Sequence, residues 1–186
     1  MRRRSQMSES ARQTLEGARV VLRAPRPADR ADRFEAGRDP EFRRMVGGAG
    51  PEPGPLTRAD VDRWYDALVA EPHAWIVELE GRCVGVARLH HVDRSTGTAR
   101  YAIGLFRPEH RGRGVGQEAT RLVLDHAFGS LGLARIELRV LDFNLQALAC
   151  YRRCGFEEVA REPVQLGETS AVDVVMAVQA HTRGPA

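Results

Sequence analysis

The sequence predicts a mixed α+β domain, a mostly antiparallel sheet of six to seven strands with about four helices against it. Three observations predict it. Between residues 73 and 106, short apolar runs are joined by tight polar turns, the pattern of antiparallel hairpins. A glycine-rich turn then opens into a helical stripe, and a cleanly alternating run follows at 134–140. A strand reached through a helix lies parallel to the strand before it. Two further runs, 156–163 and 170–179, close the chain as a hairpin.

Taken in order, residues 1–17 are polar and without period, and read as a disordered tail. The first strand, 18–24, is ended by Pro25 and Pro27. Segments 29–37 and 41–46 read as short helices, and the Gly/Pro-rich 47–55 as a loop. Thr57 and Asp60 have the form of a capping box, starting a helix with Val61, Trp64, Tyr65, Leu68 and Val69 on one face. Strands 73–80, 83–92 and 98–106 make a meander around the turns Glu80-Gly81-Arg82 and 93–97. Helix 114–128 carries the stripe Val115, Ala119, Leu122, Val123 and Ala127. Strand 134–140 turns Ile136, Leu138 and Val140 inward, and helix 144–154 ends at Gly155, a natural C′ residue. The division is therefore a tail (1–17), one folded domain (18–179) and a loose end (180–186).

Length and composition bound the function. A chain of 186 residues buries a core without disulfide staples. A net charge of +3 is too small to make nucleic acid the expected partner. All 28 basic residues are arginine, which points to a GC-rich bacterial genome more than to mechanism. The three cysteines, Cys83, Cys150 and Cys154, form no C-x-x-C and no cluster with histidine, so no metal site is expected. An odd cysteine count and an amino terminus without an apolar leader fit the cytoplasm. No apolar run approaches the length of a membrane span.

The stretch Phe106–Gly116 joins a strand to a helix N-terminus through glycines 112, 114 and 116, flanked by Arg107, Arg111 and Arg113. The first N–H groups of a helix lack partners and sit at the positive end of its dipole, so this is a recipe for holding phosphate. A nucleoside-triphosphate loop would end in Gly-Lys-Ser/Thr, and the chain has no lysine. A dinucleotide fingerprint would need glycine where Gln117 stands and a βαβ topology before it.

Arg111-Gly-Arg-Gly114-Val-Gly116 matches the acyl-CoA signature Q/R-x-x-G-x-G/A. Asn144 to Phe156 matches N-x-x-A-x-x-x-Y-x-x-x-G-F through Asn144, Ala147, Tyr151, Gly155 and Phe156. With one helix and one strand between the two blocks, the chain resembles the GCN5-related N-acetyltransferase superfamily over roughly 18–179. Its opening, Val20-Val-Leu-Arg23, resembles the branch that acetylates ribosomal-protein N-termini. The resemblance implies a sheet splayed between strands 98–106 and 134–140, with the pantetheine arm of acetyl-CoA, the co-substrate, in the splay. It implies that Arg111, Gly112, Arg113, Gly114, Val115 and Gly116 hold the pyrophosphate and that the backbone of Leu105, Phe106 and Arg107 holds the arm. Asn144 would contact the arm as well as cap its helix, and Tyr151 would protonate the leaving thiolate.

The general base stays open among His90, His91, Glu137 and water. Cys150 reads as a packed residue, with Arg152 and Arg153 expected to point elsewhere, so direct attack by a primary amine is expected over an acetyl-cysteine intermediate. The acceptor is a small-molecule amine or a protein N-terminus, and a homodimer stays open. The competing reading is a non-catalytic acyl-CoA-binding or regulatory module of the same fold.

Overall fold

The computed structural model describes residues 12–51 and 53–180. Eight strands form one sheet, β1 (Leu15–Glu16), β2 (Val20–Arg23), β3 (Ala74–Leu79), β4 (Arg82–Asp93), β5 (Thr98–Leu105), β6 (Arg135–Leu141), β7 (Glu157–Leu166) and β8 (Thr169–Gln179). Their order is β1-β2-β3-β4-β5-β6-β8-β7. Only β5 and β6 are parallel, as expected for strands joined through a helix. The described residues contain five helices, α1 (Asp29–Ala36), α2 (Pro40–Met45), α3 (Arg58–Ala70), α4 (Val115–Gly129) and α5 (Leu145–Arg153), and a 3-10 turn at Pro108–His110.

Two counts differ from the sequence reading. The eighth strand is β1, inside the segment expected to be a disordered tail. Leu15 pairs with Leu22, Gly17 N–H closes the hairpin on Val20 O, and Trp75 Nε1 donates to Gln13 O at 3.0 Å. Polar composition hid this, because the order comes from partners in β2 and β3. Residues 1–11 of that tail, and 181–186 at the other end, lie outside the described residues. The fifth helix is one of the two short segments already read at 29–37 and 41–46, which stand as separate helices: Gly37 ends α1 at φ 68°, and Asp39 caps α2 ahead of Pro40.

Strand alternation sends Trp75, Val77, Ala87, Leu89, Ala99, Tyr101, Ile136, Leu138 and Val140 to one core beneath α4 and α5. Of the α4 stripe, Val115, Ala119, Val123 and Ala127 are buried, while Leu122 is half-buried and Leu124 takes a core place. A smaller core on the opposite face joins Leu68, Ala74, Ile76 and Cys83 to Trp64, Val86 and Phe106 under α1 and α3. The Thr57–Asp60 capping box that starts α3 is present in both directions. A buried clasp holds α1 to β2: Arg23 binds Asp29 at 2.7 Å and also Glu78.

The feature that positions the site is a fork. β5 and β6 pair only at Thr98–Arg100 with Arg135–Glu137. Beyond it, β5 stays on β4 as far as Leu105, and β6 stays on β8 as far as Leu141. Tyr101–Leu105 and Leu138–Leu141 therefore diverge, leaving a gap between two strand edges.

Candidate active site

The loop after β5 is a cradle of donors. Gly112 and Gly114 sit at φ 70° and 84°, a region glycine enters without a Cβ penalty. Gly114 is the N-cap of α4, and its carbonyl receives the Glu118 N–H. The Arg111 N–H is taken by Pro108 O. From Gly112 through Gln117, no N–H has an acceptor among the described residues. Six consecutive donors curled around two left-handed glycines, at the N-terminus of a 15-residue helix, form an anion nest. Gly116 differs from its neighbours: an added Cβ would meet Leu105 and Cys150 at 3.9 and 4.0 Å, ordinary contact distances.

The three arginines separate. Arg107 pairs with Glu35 at 2.9 Å. Arg111 turns inward, 2.5 Å from Asp39, donating to Leu105 O at 3.0 Å, and lies over the Phe42 ring. Burial opposes the Asp39 charge, but the hydrogen bond from Arg111 and the N–H groups of Phe42 and Glu41 hold its pKa below the usual range. Arg113 is exposed and has no ionic partner among the described residues, so it is the loop arginine free to meet a phosphate. Arg19 reaches the same spot, donating to Arg113 O at 3.2 Å. Glu118 fixes it there by accepting from the Arg19 and Val20 N–H groups.

In the fork, hydrogen-bond phase decides which backbone groups are open. Phe106 N–H donates to Val84 O at 2.9 Å, so the Phe106 donor faces β4. In an antiparallel pair this alternates, which turns the Leu105 and Arg107 N–H groups toward the gap. Of the three residues expected to hold the arm, Leu105 and Arg107 retain a donor there. The Phe106 side chain points to the opposite face, edge-on to Trp64 at 5.8 Å.

Tyr151 comes to the fork from α5, its ring 6.4 Å from Tyr101, the first residue of β5 beyond the last pair with β6. Burial pushes the phenol well above its ordinary pKa, with the Cys150 and Cys154 thiols adding to it. It therefore keeps its proton at working pH, a hydrogen-bond donor more than a strong acid. Asn144 caps α5 through Ala147 N–H at 3.2 Å, and its amide donates to Met45 O at 3.3 Å, tying α5 to α2. Gly155 ends α5 at φ 92°, and Phe156 N–H returns to Tyr151 O.

The base candidates part company. Glu137 stands at the last paired position before the fork, with one oxygen held by Arg135 at 2.7 Å. His90 lies two strands away, opposite Arg100 on β4, and its Nδ1 is 2.7 Å from His91 Nδ1. Burial, then the His91 ring and the Arg88 and Arg100 charges, lower the His90 pKa. His91 occupies a bulge at φ 51°.

Cys150 corrects the sequence reading. Arg153, at i+3, lies on its side of the helix, not elsewhere. The hydrogen bond with Cys154 lowers the Cys150 pKa against burial, and the Arg153 and Arg121 charges help. Sequence reasoning also missed Asp39, Phe42, Arg19 and Tyr101. Of these, only Asp39 carried a local signal, as a cap before proline. No group of three metal-ligating side chains occurs among the described residues, and no described helix is long and apolar enough to cross a membrane.

Nest, fork and a phenol between them define a mixed α+β fold with an open main-chain gap beside a helix N-terminus. Residues 19–157 match the family described as the acetyltransferase (GNAT) domain, and the chain belongs to that family. The chain is 36% identical over 90 residues to the probable N-acetyltransferase YjcK of Bacillus subtilis, 47% of this chain and 49% of that protein. It is 30% identical over 82 residues to the spermidine N(1)-acetyltransferase of Escherichia coli K12, 44% of each chain. The matches thus span about half the length of these relatives. The crystal structure of spermidine N-acetyltransferase from Vibrio cholerae in complex with CoA and spermine superposes with a TM-score of 0.72 at 21% identity, over 89% of this chain and 98% of that one. At that identity the likeness shows the fold.

Proposed function

We propose that the protein transfers an acetyl group from acetyl-CoA to a primary amine by direct attack within a ternary complex. The carrying observation is the run of free N–H groups from Gly112 to Gln117 opening onto the β5–β6 fork. The nest, with Arg113 and Arg19, suits a pyrophosphate, and the gap suits a peptide-like arm that needs main-chain partners. The Leu105 or Arg107 N–H supplies a donor where the thioester oxygen gains charge, a contribution on the order of several kcal/mol.

In the reaction the amine nitrogen bonds to the thioester carbonyl carbon and the C–S bond breaks. The amine gives up its proton to a base, for which Glu137 at the fork is the best placed, directly or through water. Tyr151 donates a hydrogen bond to the departing sulfur. Asn144 holds the start of α5 and, through Met45, the end of α2. Holding both reactants side by side supplies much of the rate. Three free cysteines fit a reducing compartment, which supports the cytoplasm as the setting of the reaction.

An amine panel with detection of released CoA tests the reading, beside calorimetry of acetyl-CoA. Turnover of at least one amine is expected. Tight acetyl-CoA binding with no amine consumed would make the protein an acyl-CoA-binding module instead. Mass spectrometry after acetyl-CoA alone should show no adduct; an acceptor-sensitive acetyl group on Cys150 would replace direct attack by a covalent route.

A further inference from the structure

The side of the fork toward α4 and α5 is filled by the main core, which leaves the opposite face for an amine's approach among the described residues. Several carboxylates around that face are already bound to arginines. Glu137 meets Arg135 at 2.7 Å, and Arg139 takes both Glu162 and Asp173, at 2.5 and 3.7 Å. Asp39 meets Arg111 at 2.5 Å, and Asp60 meets Arg38 at 2.9 Å. A polycation would need open carboxylates there, and like-charged arginines would oppose it.

Arg33 is the reverse case. Its guanidinium lies 4.7 Å over the Phe106 ring, one residue past Leu105 at the end of β5. Its one hydrogen bond within the described chain goes to Gly37 O at 2.6 Å, and no carboxylate of the described residues lies within ion-pairing distance. A guanidinium carries five donors in a planar fork that matches a carboxylate. Burial, then the charge of Arg38, lowers its pKa, the mark of a cation short of a counter-ion. Arg100, further along β5 on the same face, adds positive potential without an ionic partner among the described residues.

We propose that the acceptor is an amine that carries a carboxylate close to its amino group, and that Arg33 holds that carboxylate. The proposal rests on the transferase reading, and it separates this chain from the polyamine specificity in the names of some of its relatives.

Trp64, edge-on to Phe106, gives a readout independent of turnover, since the other tryptophan, Trp75, lies in the opposite core. The full chain with CoA is titrated with N-acetylglycine and with N-acetylglycinamide, which lacks only the charge. A saturable fluorescence change is expected, at least tenfold tighter for the acid. Arg33→Gln should abolish the preference, and Arg33→Lys should restore part of it. In turnover, glycine should exceed glycinamide and spermidine in kcat/KM, and Arg33→Gln should raise the glycine KM about tenfold with the acetyl-CoA KM unchanged. Equal or absent binding of the two probes, or a preference for spermidine, overturns the proposal. Arg33-dependent binding of N-acetylglycine without turnover of any amine supports the anion site and defeats the transferase reading instead.

Discussion

Replacing Gly114 by valine separates the two roles of the loop. At φ 84° a side chain costs about 1–2 kcal/mol in the left-handed region. Space is not the obstacle: the nearest atom to an added Cβ is the end of the flexible Arg19 side chain, at 3.0 Å. For a chain of this size that strain lowers Tm by about 2–8 °C. The larger effect falls on binding. If the backbone relaxes out of αL, at least two nest donors lose aim at the phosphates, each worth about 1.5–3 kcal/mol when the acceptor is charged. Acetyl-CoA affinity should then fall roughly 10²- to 10⁴-fold. Gly132→Val is the control: φ is 65° and nothing lies within 4 Å of an added Cβ, so the same strain arises away from the site. Calorimetry and thermal melts of both variants decide it. A folded Gly114→Val protein with unchanged affinity, or Gly132→Val losing affinity equally, would refute the nest.

Tyr151→Phe should lower kcat by about 10²- to 10⁴-fold while acetyl-CoA affinity stays near its starting value, since a donor to the leaving sulfur acts mainly in the transition state. Unchanged kcat would reduce Tyr151 to packing against Tyr101 and Phe156. Asn144→Ala should lose about 1 kcal/mol of unfolding free energy with the cap, whereas Asn144→Ser retains a cap oxygen. A drop in acetyl-CoA affinity in the stable Ser variant would show the amide touching the arm, and full affinity would leave Asn144 a cap and strap. His126 is buried with neither ring nitrogen hydrogen-bonded within the described chain, and burial lowers its pKa. The unfolded chain takes up that proton near pH 6.5 and the folded one resists it, so stability present above that pH is lost as pH falls. Unfolding free energies from urea titrations between pH 7.5 and 5 should drop by up to about 1.4 kcal/mol per pH unit for this proton, and His126→Leu should flatten that share. An unaltered pH slope in the variant would place the proton elsewhere.

How much was legible depends on whether the cause was local. The meander, the parallel pair and the α4 cap follow from period, turn residues and glycine placement, all within a few residues of the effect. Ile136, Leu138 and Val140 face the core as their alternation demands. The fork was reachable only through family resemblance, because no residue near Arg100 or Glu137 marks where pairing stops. β1 was illegible because its order comes from Val20–Leu22 and Trp75, not from its polar sequence. The inward turn of Arg111 was hidden for the same reason. Its partner Asp39 is 72 positions away, and no spacing rule links them.

The Asp39–Arg111 contact also changes what the arginines of the signature are for. A sequence reading sets Arg107, Arg111 and Arg113 alike as charge beside the glycine loop, with the Arg107 backbone also offered to the arm. The structure divides them by partner. Arg107 is held by Glu35 on α1, Arg111 by Asp39 ahead of α2, and only Arg113 is left to solvent at the nest. Arg111 also holds the Leu105 carbonyl, while Phe42 of α2 covers Gly104, where an added Cβ would lie 2.9 Å from the ring. At its other end, α2 is fastened to Asn144 through Met45 O. A six-residue helix without a buried side chain thus lies across the end of the fork, held by that ion pair and hydrogen bond, by Phe42 over Gly104 and by Arg44 over the Phe143 ring. Such a helix contributes little stability of its own. Its position therefore depends in part on Arg111 and Asn144, two residues that the signature assigns to the cofactor and that the structure engages with α2.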